Sequence, residues 1–186
     1  MNTNPLLAPW DTPHQLPPFD KIKPEHYAPA FEAAMAEHRA EVDALAANPE
    51  PATFENTVAA FDRSGQSFAR VVGVFFNLTS SETSDALQAA ERELMPKIAA
   101  HQSWLSLHEG VFKRVDALYR TRDTLGLDAE QLRLLERVHL DFVREGALLV
   151  GPARERYAAI TEELAGLFTT FSQSVLGDEA AFCLEL

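Results

Sequence analysis

Apolar residues recur at intervals of three, four and seven along most of this chain, and that spacing leaves little room for any fold but a helical one. An α-helix turns once every 3.6 residues, so side chains at such intervals share a face, whereas a half-buried strand alternates every second residue. Tyr27, Phe31, Met35, Val42 and Leu45, with Ala34 and His38 completing the stripe, predict a first helix. It starts near Pro24, a residue suited to a first turn that has no use for its missing donor, and ends at Asn48-Pro49-Glu50-Pro51. Phe54, Val58, Phe61, Phe68, Val72 and Phe75 predict a second helix, N-capped by Thr53, with Gly65 on its apolar face where a missing side chain permits close approach. The run Val71–Phe76 has strand-like composition, but the stripe passes through it in phase, so it reads as helix.

The same reading continues downstream. A third helix begins after Ser84 with Leu87, Ala90, Leu94 and Ile98 inward, and Pro96 bends it or ends a segment there. A short helix carries Val111, Phe112, Val115, Leu118 and Tyr119. Asp128 and Gln131 form a capping box for a helix with Leu135, Val138 and Phe142 on its face. A long sixth helix from about Pro152 turns Tyr157, Ile160, Leu164, Phe168, Phe171 and Val175 inward, and Gly177 closes it. The expected architecture is an all-α unit of about six helices over residues 1–186. Residues 1–22, with five prolines among Leu6, Leu7, Trp10, Leu16, Phe19 and Ile22, form an extended strap on the helical body. Residues 178–186 form a stub strand in which Phe182, Leu184 and Leu186 alternate, its pairing partner being a second copy or, in preference, a strand beyond Leu186.

Charge excludes one class of partner. With 28 acidic against 16 basic residues the formal net charge is −12, and Lys113, Arg114, Arg120 and Arg122 are interleaved with Glu109, Asp116 and Asp123, so nucleic acid is not expected. No run approaches the ~20 apolar residues that span a bilayer, so no membrane partner is expected. No Lys or Arg precedes Lys21, which argues against a secretory leader, and the single Cys183 suits a reducing compartment. Together these predict a cytoplasmic protein.

No side-chain constellation reads as a catalytic or cofactor site, and no catalytic, cofactor-binding or metal-ligating residue is assigned. His108-Glu109 begins a zinc-hydrolase pattern, but Phe112 stands where the second histidine belongs. His101 and His108 read as polar residues on helix surfaces; His38 and His139 read as core-edge histidines bonded to backbone or carboxylate. Cys183 has no neighbouring basic residue to stabilise a thiolate. Glu91, Glu93, Glu162 and Glu163 read as solvated faces.

The wording of the chain goes further than its chemistry. Asn4-Pro5-Leu6-Leu7, Leu16–Ile22, Pro24-Glu25-His26-Tyr27-Ala28-Pro29-Ala30-Phe31, Thr53-Phe54-Glu55-Asn56-Thr57, Val74–Leu78, Leu125–Asp128 and Phe171-Ser172-Gln173 resemble, in order, the N-terminal region of the thimet oligopeptidase family of zinc peptidases. The nearest branch is that of peptidyl-dipeptidase and oligopeptidase A. The resemblance implies a parent several times longer, in which a zinc-bound water activated by the glutamate of His-Glu-x-x-His attacks the peptide carbonyl. That motif belongs to the C-terminal half, so no catalytic residue carries over. This region would form one wall of a channel admitting short peptides; its partner would be the remainder of the same polypeptide, zinc would sit in the parent, and the fragment alone would be inactive. A stand-alone helical protein-interaction module is the alternative.

Overall fold

The computed structural model describes residues 4–181, and over that span the chain is all-α, with six helices of 12 to 30 residues and no strand among the described residues. Their boundaries follow the side chains that satisfy free backbone groups at helix ends. A 3-10 turn at Pro24–His26 leads into α1 (Tyr27–Ala46). Thr53 caps a π-helical turn, Phe54–Ala59, which runs on into the single turn α2 (Ala60–Asp62). After α3 (Gln66–Ser81), Ser84 caps α4 (Asp85–Ser106) by accepting from the Leu87 amide. His108 caps α5 (Glu109–Arg120) through Nδ1. Asp128 and Gln131 close a reciprocal capping box, at 2.8 and 3.2 Å, on α6 (Ala129–Arg144). The last element is α7 (Pro152–Ala181).

Two apolar cores share α1. The first gathers Tyr27, Phe31, Val71, Phe75, Leu94 and Ile98 with Leu6 from the lead-in. The second gathers Val42, Leu45, Val58, Val111, Val115, Leu135 and Phe142. Aromatic edges lock the first core: Tyr27 and Phe31 meet Phe75 at ring-centroid distances of 4.9 and 5.4 Å. Fully burying each such ring contributes about 2–3 kcal/mol, which makes the α1–α3 pairing the strongest apolar contact in the first core.

Several expectations require correction. The second helix does not run unbroken through Gly65: that residue has φ +70° and starts α3 afresh. The expected close approach is real, since a Cβ there would lie 2.6–2.8 Å from the His38 ring. Pro96 neither ends nor splits α4, which runs through it. The missing donor deprives only the Arg92 carbonyl, on an exposed turn that water can serve. Gly177 does not terminate α7, and residues 178–181 are helical rather than strand. The remainder of the expected strand, with Cys183, lies outside the described residues. Most consequential, Ile160, Leu164, Phe168, Phe171 and Val175 do not face inward; each is at least 39% exposed. α7 rests instead on α4, with the half-buried Ala165, Thr169 and Gln173 on the side toward Met95, Pro96 and Ala99. The bulky face is left outward.

Candidate functional site

The chemistry-bearing residues of greatest burial are two histidines at the junction of the two cores. His38, on the α1 stripe between Ala34 and Val42, is 7% exposed; His101, on α4 one turn beyond Ile98, is completely buried. His101 Nε2 lies 3.1 Å from His38 Nδ1, and His38 Nε2 lies 3.2 Å from the Ser64 hydroxyl. Arg39 Nε donates toward His101 Nδ1 at 3.4 Å while its guanidinium sits 5.3 Å over Trp104, which stacks on His101. An imidazole pair so enclosed is neutral. Burial, then the neighbouring His38 and Arg39, push His101 down from 6.5 to about 4. Burial also lowers His38, against the opposing pull of Glu41. No substrate can reach either ring, so the pair joins helices rather than moving protons to a reactant.

This placement corrects the surface reading of His101. The signal was present: Leu87, Leu94, Ile98 and His101 follow one stripe once the helix is carried through Pro96. His108 instead caps α5 and meets Asp43 at 3.1 Å. His139 behaves as expected of a core-edge residue bonded to carboxylate, lying 3.1 Å from Asp116 Oδ1 and stacked 3.8 Å from Tyr119. Glu93 pairs with Lys97, while Glu162 and Glu163 are exposed. Among the described residues, no three His, Cys, Asp or Glu side chains converge as a metal site would require. The donor set of the described residues does not fit a zinc ion.

What the surface offers is an apolar face. Leu164, Leu167, Phe168, Phe171, Val175 and Leu176 lie on the outer side of α7 with exposures of 39 to 68%. Among the described residues no helix is long and apolar enough to cross a membrane, so this face is not a bilayer span.

No protein-family model matches the chain. Individual relatives do. The chain is 38% identical over 181 residues to dipeptidyl carboxypeptidase of Salmonella typhimurium, an overlap of 97% of this chain and 27% of that protein. It is 38% identical over 173 residues to dipeptidyl carboxypeptidase of Escherichia coli, and 30% identical over 174 residues to oligopeptidase A of the same organism. The likeness runs over nearly the whole of this chain. The chain spans about a quarter of the length of the relatives it matches.

Within this chain, the blocks that carry the resemblance are rich in polar locks. Asn4 donates from Nδ2 to the His26 carbonyl at 2.7 Å and accepts from the Leu6 amide, while Trp10 donates to the Pro5 carbonyl at 2.9 Å. Thr53 and Asn56 cap each other's backbone amides, at 2.9 and 3.1 Å. Arg114 then reaches from α5 to the carbonyls of Asn48 and Glu50, to Asn56 Oδ1 and to the Thr57 hydroxyl. A single charged side chain with four acceptors fixes this loop more firmly than its neutral bonds alone could.

Proposed function

We propose that this chain is the N-terminal, channel-forming part of a cytoplasmic zinc peptidyl-dipeptidase acting on short peptides, and that alone it hydrolyses nothing. The observation that carries this reading is the match of 97% of the chain to 27% of a protein named dipeptidyl carboxypeptidase. Zinc would belong to the remainder of the polypeptide, and no catalytic step is assigned to this part. The contribution of this part is steric: helices on one side of a cleft limit which peptides enter.

The test is a paired assay. The 186-residue chain, with zinc supplied, should leave a blocked peptide intact. The protein encoded by the full reading frame, carrying a downstream His-Glu-x-x-His, should release dipeptides in a chelator-sensitive way. Chelator-sensitive turnover by the 186-residue chain itself, or a reading frame that stops after Leu186, would refute the proposal; the latter would favour the stand-alone interaction module.

A further inference from the structure

Residues 164–177 form about four turns of α7 without one Asp, Glu, Lys, Arg or His. That contrasts with α6, whose 16 residues carry Glu130, Arg133, Glu136, Arg137, Asp141 and Arg144 around its apolar stripe. Helices that meet water on one side usually carry charge there, and this stretch carries none. One side of α7 is half-buried against α4. The other carries Leu164, Leu167, Phe168, Phe171, Val175 and Leu176, each 39 to 68% exposed.

We infer that this face is the docking surface for the remainder of the same polypeptide, which packs on it and makes α7 an interior helix of the complete peptidase. The inference rests on the reading that the chain is part of a longer protein. Two observations select this occupant over a second copy. First, the relatives extend over about three quarters of their length beyond the matched region, so ample chain exists to cover the face. Second, the six partly exposed Leu, Val and Phe side chains amount to roughly 600 Å² of apolar surface, enough for a full-sized contact, and at equal complementarity an attached chain outcompetes a free copy because its translational freedom is already restricted. The face is also large for a monomer's surface, at the upper end of the ~300–600 Å² expected of a largest patch.

The experiment uses the full-length protein. Phe168→Cys and, separately, Leu167→Cys are introduced with Cys183→Ser, and labelling by N-ethylmaleimide is followed by peptide mass mapping. Each thiol should label at least ~100-fold more slowly in the folded protein than in urea, the protection of a buried site rather than an exposed one. Hydroxyl-radical footprinting of the unsubstituted protein provides a second readout, with Phe168 and Phe171 expected to be protected from oxidation. Labelling and oxidation at the rate of exposed residues, in a full-length protein that still cleaves peptides, would overturn the docking inference and leave the proposed function standing. Protection that disappears on dilution to monomer would overturn it in favour of a second copy. A reading frame that ends after Leu186 would remove both together.

Discussion

Acidifying this protein from pH 7 to pH 5 should cost it about 2 kcal/mol through His101 alone. The ring is completely buried, 3.1 Å from His38, beneath Trp104 and Phe68 and beside the Arg39 guanidinium, with Ser64 and Glu41 on the far side of His38. Its folded value is lowered from 6.5 to about 4. The unfolded chain therefore takes up a proton that the folded chain refuses. Stability is fully present above the unfolded value, falls as pH drops below 6.5, and levels off below about 4. Each unit of difference is worth about 1.4 kcal/mol, so the loss approaches about 3 kcal/mol at its limit, with His38 adding in the same direction. The assay is urea unfolding followed by circular dichroism at several pH values between 7 and 5, a window above most carboxylate titration. His101→Gln removes the titrating group, so its stability should fall less over that window. An equal fall in both proteins, or a His101 ring titrating near 6.5 by NMR in the folded state, would refute the argument.

Two further substitutions test the packing by the same unfolding measurement. Gly65→Ala should cost about 2–5 kcal/mol, combining left-handed backbone strain with a Cβ driven to 2.6 Å from the His38 ring. Gly126→Ala shares the positive φ but meets open space, so it should cost only about 1–2 kcal/mol; equal costs would show that His38 yields freely. Tyr27→Phe should stabilise by about 1 kcal/mol, because the buried hydroxyl has no hydrogen-bond partner and burial pushes it up to about 12. Loss of stability in that variant would show that the hydroxyl is bonded after all.

The fold class was legible because periodicity and capping chemistry are local. Ser84, Thr53 and the Asp128–Gln131 box announce their helices within four residues, and the α1 stripe is buried as its spacing requires. Gly65 was ambiguous because a glycine that admits a neighbour and one that reverses the chain look identical in sequence; here it does both. Pro96 misled because its cost depends on whether the orphaned carbonyl meets water, which is a property of the fold. Assuming a break there removed His101 from the stripe on which it lies, and with it the buried imidazole pair. That pair joins residues 63 positions apart, and no local pattern links such residues.

The inverted face of α7 is a different kind of miss, and it separates two questions that periodicity merges. A spacing of three and four identifies which residues of a helix act together, but not what they act upon. On α6 the charges that accompany the stripe mark the side that water touches. On α7 those charges stop at Glu163 and resume only at Asp178, so the sequence does not mark which side water touches. The structure supplies one cover, α4, and ties α7 near its start through Arg154 to Glu109 and Tyr157 to Glu145. Beyond these ties its C-terminal half packs chiefly on α4 among the described residues. Such a helix, held by few buried apolar contacts, gains most of its remaining stability only when its other face is covered, so the docking inferred above would couple the folding of this part to whatever chain covers it.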